Sequence, residues 1–398
     1  MNTISKRIQA LSESQTIAMS QRSAELKAQG KDIINLSVGQ PDFHTPDHIK
    51  EAAIQAIHNN FTSYPPVPGY KDLREAIANK LKKENHLDYS REQIIVSAGA
   101  KHSLANTILS IVNKDDEVIV PAPYWVSYVE QVKLAEGRNV VVQTSIENDF
   151  KLTPAQLKNA ITDKTKALIL CSPSNPTGSI YTKEELAEIA AVIEESEQKI
   201  YILSDEIYEY INFVGEHHSI AQFNNIKDQV ILINGVSKGF AMTGWRIGYI
   251  AAPLEIAKAV AKLQGQVTSA ASSISQRAAL TAITSNKDFT REMVKAFKRR
   301  RNMVLEELGQ IQGILKYSPH GAFYLFPDVS HYFGKSFGER QINNASDLCF
   351  YLLEEANVAV VPGSAFGSPN NIRISYAASD EELKEALGRI KTYLDKLE

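Results

Sequence analysis

The feature that most restricts the fold of this chain is a regular exchange, from about residue 47 to 285, of helical apolar spacings with short continuous apolar runs. Ile49, Ala53 and Ile57, then Leu73, Ile77 and Leu81, recur every four residues and mark the faces of two helices. Runs at 94–97, 117–120, 139–143, 166–171, 199–203, 230–234 and 246–251 read as strands. That succession predicts an α/β fold with a mostly parallel, doubly wound seven-stranded sheet, covered by helices on both faces. At 398 residues the chain is long for one compact unit, and its 43% hydrophobic content can bury a large core, so two lobes are expected. The large domain is placed at 47–288 and a smaller α+β domain at 289–398. In the latter a helix through Phe297, Val304 and Leu308 leads to short strands near 323–326, 358–361 and 372–375, then to a last helix over 381–397.

Ligands of open parallel sheets bind beyond the carboxyl ends of the strands. Here the run 166–171 ends in Ser172-Pro173-Ser174-Asn175-Pro176-Thr177-Gly178, and the run 199–203 leads into Asp205-Glu206-Ile207-Tyr208. The run 230–234 leads into Gly235-Val236-Ser237-Lys238, with Arg246 eight positions further on. Asn, Asp and Lys at three such ends describe one site. A lysine just past a buried strand suits an amine that forms a Schiff base beside a bound phosphate. Pyridoxal phosphate asks for that set: a lysine for its aldehyde, a carboxylate for its pyridine nitrogen, donors for its ring hydroxyl and cations for its phosphate. Ser237 and Arg246 can meet the phosphate. So can backbone N–H groups at the start of a helix expected from His102 to Val112, after the small-residue turn Ala98-Gly99-Ala100-Lys101.

In this order and spacing, Asn175-Pro176-Thr177-Gly178, Asp205-x-x-Tyr208 and Ser237-Lys238 followed by Arg246 resemble the class I aminotransferases of the aspartate aminotransferase family, which have fold type I. The likeness runs from Asn35-Leu36-Ser37-Val38-Gly39-Gln40-Pro41-Asp42-Phe43 to Asn371-Ile372-Arg373-Ile374-Ser375-Tyr376. It implies pyridoxal 5′-phosphate as cofactor, with Lys238 carrying it and moving the substrate Cα proton. Asp205 would serve the pyridine nitrogen, Tyr208 and Asn175 the ring oxygen, and Trp125 would stack on the ring. Arg373 would hold the substrate α-carboxylate, with the backbone of Gly39 closing over it. Tyr64 would reach the phosphate of the neighbouring subunit in a homodimer, and the segment 1–46 would pack with the C-terminal lobe.

The chain departs from the best-known members by carrying Gly99, Ala100 and Lys101 where they have hydroxyl residues, and Gly235 where they have serine. Backbone donors then take more of the phosphate, and Lys101 is free for other work. Thr16 and Lys101 resemble a Thr and Lys that accompany combined aspartate and prephenate specificity in one bacterial and plant branch. The expected reaction is transamination between amino acids and 2-oxoacids: aspartate and glutamate with oxaloacetate and 2-oxoglutarate, prephenate being a further acceptor. An alanine or aromatic aminotransferase and a β-lyase are the alternatives, because the cofactor contacts alone do not choose the bond broken. A transcription regulator of the same fold is disfavoured, since the resemblance begins within a few tens of residues and leaves no room for a helix-turn-helix. A Ser237-Lys238 hydrolase dyad is disfavoured because adjacent side chains at a strand end point apart.

Arg373 can be argued physically as well. Ile372, Ile374 and Tyr376 mark a buried strand end, where an unpaired guanidinium is costly, so a bidentate partner is expected. The formal net charge of −3 gives no reason to expect nucleic acid as a partner, and no apolar run is long enough to span a bilayer. The first residues lack an apolar signal core, which makes the cytoplasm the expected location. Cys171 and Cys349 read as two core thiols. His217-His218 has no third ligand at a useful spacing, so a solvated loop is expected there and no metal. Lys298-Arg299-Arg300-Arg301 reads as a solvated helix face and Asp42 as a turn residue.

Overall fold

A computed structural model describes residues 3–12 and 15–398, the side chains of 15–17 excepted. Seven strands form the large sheet: β1 (Ile94–Ser97), β2 (Glu117–Ala122), β3 (Arg138–Gln143), β4 (Thr165–Cys171), β5 (Tyr201–Asp205), β6 (Val230–Gly235) and β7 (Gly248–Ala251). Their order is β1-β7-β6-β5-β4-β2-β3, and only β7 runs antiparallel to its neighbours. Successive side chains of a strand face opposite ways, and both faces here are covered, so the central strands are apolar throughout rather than alternating. Leu168, Ile202 and Leu232 pack into the core on one face with Leu73, Ile77 and Leu81. Ile169, Leu203, Ile231 and Ile233 pack into the other with Leu104 and Ile108.

Ile57 is a correction: it is 52% exposed, and Ala56 takes the buried place beside Ile49 and Ala53. Eight residues rotate a helix by about 80° from its starting direction, whereas seven return it to within about 20°, so Ala56 follows the inner face. A second correction concerns Arg246. It lies outside β7, in a left-handed turn with φ of 56°.

The smaller lobe is built on the helix Asp288–Leu308, a three-stranded antiparallel sheet (Tyr324–Leu325, Val361–Pro362, Ile372–Ser375) and the helices Ala345–Glu354 and Asp380–Leu394. The single strand expected over 358–361 is divided. Val358–Ala359 pairs in parallel with Ile34–Asn35, while Val361–Pro362 pairs with the strand that carries Arg373. Met19, Leu26, Ile33, Ile34 and Leu36 share one core with this lobe. No helix among the described residues is long and apolar enough to cross a membrane.

Two polar readings change. Arg300 is buried within its basic run and forks onto Asp42, with both N–O distances 2.8 Å, while its Nε donates to Asp380. Asp42 is therefore an ion-pair partner that ties the N-terminal strap to the long helix. His217 is partly buried and lies 2.9 Å from Glu206, which also accepts from Ser204 and Ser219. The loop folds inward because that carboxylate needs donors. Donor atoms of Glu206, Glu209 and His217 lie within 4.8 Å of one another, but Lys80 and Asn85 already engage Glu209.

Candidate active site

The parallel pairing of β4, β5 and β6 brings Asn175, Asp205 and Lys238 to the same edge of the sheet, where they face a cavity of about 340 Å³. Cys171 is level with Asp205 in the β4–β5 register, and both cysteines are free thiols. Asp205 is buried and accepts from Tyr128 (2.7 Å) and from the N–H of Ile207 (3.2 Å). Burial raises its pKa from 3.8 to about 6, against those two bonds, and neighbouring Glu206 adds to the rise. Lys238 donates to the carbonyl of Gly39. Burial lowers its pKa to about 8, helped by Arg373 and Arg246.

The opposite wall comes from the smaller lobe. Arg373 is 2% exposed and donates to Asn175 Oδ1 (3.0 Å) and to the carbonyl of Ser37 (2.6 Å). Its Nε is buried with no partner, and its guanidinium lies 4.6 Å from the ring centre of Tyr324. The expected buried cation is therefore present, and both of its protein partners are neutral. Tyr208 meets Tyr324, hydroxyl to hydroxyl, at 2.8 Å.

At the third side the helix Ala100–Ile111 starts with Gly99 as its cap, at φ of 88°. A Cβ on Gly99 would collide with the Arg246 guanidinium, and one on Gly248 would collide with the Gly99–Ala100 backbone. Glycine at both positions lets the helix start and the arginine close on one spot. The first N–H groups of a helix have no intrahelical acceptor, so Ala100 and Lys101 offer anion-binding donors there, with buried Ser237 nearby on the cavity wall. The departure at Gly235 is also spatial, since a Cβ would strike the Ile247 carbonyl and Gly248.

Trp125 borders the cavity, half-buried, edge-on to Tyr128. Lys101 is exposed as a residue, yet its ammonium lies 4.9 Å from the centre of the Trp125 ring at the mouth. Burial of that tip, then Arg246, lowers its pKa. Tyr64 does not line the cavity of its own chain and is 95% exposed. The Thr16 side chain lies outside the described residues. Tyr128 and Tyr324 are site residues that the sequence reading missed. Tyr128 follows Trp125 by one helical turn, a usable signal; Tyr324 sits in a run, Phe323 to Phe326, buried at every position, which hides it as core.

The donor set fits pyridoxal phosphate: an amine of lowered proton affinity, a buried carboxylate, a glycine cradle beside a guanidinium, and an arginine with an unused N–H. The family model described as aminotransferase class I and II matches residues 31–390. Aspartate aminotransferase of Bacillus subtilis (strain 168) is 46% identical over 395 residues, 99% of each chain. A bifunctional aspartate aminotransferase and glutamate/aspartate-prephenate aminotransferase of Petunia hybrida is 45% identical over 98% of this chain and 83% of its own. The crystal structure of aspartate aminotransferase from Rhizobium meliloti superposes over the whole of both chains with a TM-score of 0.96 at 41% identity. That of Thermus thermophilus with maleate covers 99% of this chain and 100% of its own, with a TM-score of 0.93 at 41% identity. Sequence, fold and cavity thus agree, and this chain belongs to the class I and II aminotransferases.

Proposed function

We propose that this protein transfers an amino group between an amino acid and a 2-oxoacid, using pyridoxal 5′-phosphate carried on Lys238. Aspartate and glutamate are the amino donors, oxaloacetate and 2-oxoglutarate the oxoacids, and prephenate a further acceptor. The observation that carries this reading is the meeting in one cavity of Lys238, Asp205 and an Arg373 whose Nε lacks a partner. When bound, pyridoxal phosphate supplies an aldehyde for the amine and a ring that takes up the electron pair left at the substrate Cα.

The protein side of the reaction follows from the chain's own groups. Lys238, with a pKa of about 8, is partly neutral near pH 7, so its Nζ can take the proton from Cα and hand it on to a different carbon, the net shift that transamination needs. Asp205 is largely ionised at that pH and can hold a protonated pyridine nitrogen, whose charge would lower its pKa in turn. Arg373 would take the α-carboxylate through Nε and one Nη, fixing the Cα–H bond for transfer, with Gly39 above it. Asn175 and Tyr208 would hold the ring oxygen and Trp125 the ring face. Ser237, Arg246 and the N–H groups after Gly99 would hold the phosphate.

Lys101, at the mouth, is the candidate for a second substrate carboxylate, with Thr16 beside it in the specificity reading. The solved Thermus thermophilus relative holds maleate, a dicarboxylate, which supports a dicarboxylic substrate class. The prephenate reading rests on the Petunia relative's described activity.

The working form is a homodimer in which Tyr64 completes the partner's phosphate site. Ile54, Ile57, Tyr64 and Val267 are large apolar side chains that a single chain leaves exposed, which supports this reading. A hybrid of K238A and Y64F subunits checks this: cofactor affinity at the site with intact Lys238 should return toward wild type, because its Tyr64 comes from the other subunit. Affinity as weak as in the Y64F homodimer refutes sharing.

Absorption of the purified protein tests the whole reading. A visible cofactor band that converts on adding glutamate, with release of 2-oxoglutarate, is the expected outcome. A protein that binds no chromophore when supplied with pyridoxal phosphate overturns it.

A further inference from the structure

Tyr324 lines the cavity, is fully buried, and has no part in the chemistry given so far. Its strand pairs with the one carrying Arg373, Tyr324 standing opposite Ser375, so ring and guanidinium are held by one ladder. Its hydroxyl is 2.8 Å from that of Tyr208 and would be 2.8 Å from a Cβ on Gly39, which leaves it little room to turn elsewhere.

Each hydroxyl has one proton to give. If Tyr208 gave its proton to Tyr324, it would have none for a ligand in the cavity. The Arg373 guanidinium against the Tyr324 ring stabilises negative charge on Tyr324 and so makes it the better donor. The other titratable groups about the pair are Lys238, 5.7 Å from the Tyr208 ring centre, the Cys171 thiol, Asp205 and Arg246.

We propose that Tyr324 is a positioning residue: it donates to Tyr208, so that the Tyr208 proton is free for the cofactor's ring oxygen, and it transmits the occupancy of Arg373 to that oxygen. This rests on the reading that pyridoxal phosphate is carried on Lys238. Hydrogen bonds in a chain strengthen one another, so donation by Tyr324 sharpens donation by Tyr208 and lowers the proton affinity of the Lys238 nitrogen. A carboxylate on Arg373 cancels the guanidinium charge, weakens the first bond and so raises that proton affinity. The arginine thus reaches the ring oxygen by a route separate from its bond to Asn175.

The test is a pH titration of the visible absorption of the cofactor-loaded protein, with and without maleate as the carboxylate probe. Y324F keeps the ring and removes the hydroxyl. It should raise the titration midpoint by about half a pH unit and roughly halve the shift that maleate causes. Y208F should shift the midpoint further, and Y208F/Y324F no further than Y208F alone, because one residue acts through the other. An unchanged midpoint in Y324F, or additive effects in the double variant, overturns the proposal, even if melting temperature or cofactor affinity has moved. Should Y324F fail to load, Y208F decides: a maleate shift smaller than wild type supports the route and an undiminished one overturns it. Absence of a visible band in the wild-type protein would instead remove the functional reading itself.

Discussion

Two buried cations, Lys80 on the helix Lys71–Glu84 and Arg373 on a strand of the smaller lobe, are treated in opposite ways. Lys80, 6% exposed, is bonded to the Glu209 carboxylate and to Asn85, and Asn85 in turn donates to the second oxygen of Glu209. Burial works against the Glu209 charge, yet Lys80 and Asn85 hold its pKa below the ordinary value. Arg373, 2% exposed, has an amide oxygen, a carbonyl and an idle Nε, and Lys238 has a carbonyl. A buried charge with a full set of partners is structure; one left short of countercharge stores an affinity for something the chain does not supply. The cavity is where this protein accepts a stability cost for function.

The largest test of that contrast is Lys238→Ala. Removing the group that carries the cofactor and moves the proton should cut turnover by on the order of 10⁴-fold or more, in a steady-state assay with aspartate and 2-oxoglutarate. The fold should not suffer in proportion. The native pKa of Lys238 is depressed from 10.5 to about 8, so between those values the unfolded chain binds more protons and stability rises with pH. Below pH 8 the burial penalty is fully present, and losing this lysine relieves it. A melting temperature of the cofactor-free variant far below wild type at pH 7 would mean that Lys238 is a structural cation like Lys80.

The paired substitutions Lys80→Met and Arg373→Leu compare the two cations directly. Breaking the Lys80 pair leaves the buried Glu209 without its bonded cation, for a loss of about 3–5 kcal/mol by denaturant unfolding. Arg373→Leu strands no carboxylate, so stability should hold or rise, while KM for amino donors increases by roughly tenfold to a hundredfold. Equal destabilisation by the two would end the distinction.

How far this contrast could be read from sequence depends on where each partner comes from. Lys238, Asp205 and Asn175 were legible because each stands at the end of an apolar run, and parallel pairing brings such ends together without further information. Arg373 was legible as a buried guanidinium, since its neighbours Ile372 and Ile374 are apolar. Its neutral partners were not, because Ser37 comes from a strap 336 residues away. Arg300 with Asp42, and His217 with Glu206, were misread for the same reason: a charge run or a histidine pair shows its local neighbours, and the partner that buries it is set by tertiary contact. Tyr324 lacked any alternation to mark it, being one of seven consecutive buried residues, 321–327.

Asp205→Asn gives an effect of intermediate size with a pH signature. The pKa of Asp205 is raised from 3.8 to about 6, so between those values the native state binds more protons than the unfolded chain and stability falls as pH rises. The penalty is absent below pH 3.8 and complete above 6. The cofactor-free variant should therefore match wild type at the acid end and exceed it at pH 7 by about 2–3 kcal/mol at most, as seen in melting curves across that range. Turnover should fall by about 10²–10³-fold, since the carboxylate acts most when charge flows toward the ring nitrogen. Matching pH profiles for the two proteins would show that Asp205 carries no burial cost.

The smallest effect is expected at Lys101, which stands between the two extremes: exposed as a residue, its tip against Trp125 at the cavity mouth, and no carboxylate bonded to it. Because its ammonium is only part desolvated, Lys101→Met should leave stability within about 0.5 kcal/mol of wild type. If the tip meets a second substrate carboxylate, one charge-assisted contact is lost, worth about 1.5 kcal/mol, or roughly tenfold in kcat/KM for aspartate, glutamate and prephenate. Alanine has no second carboxylate and is held by Arg373 alone, so its kcat/KM should stay within a factor of about two. Equal losses with all four substrates would make Lys101 part of the phosphate site. No loss with any would leave it a surface lysine resting on an indole, and the countercharge for a dicarboxylic substrate would have to come from elsewhere around the mouth.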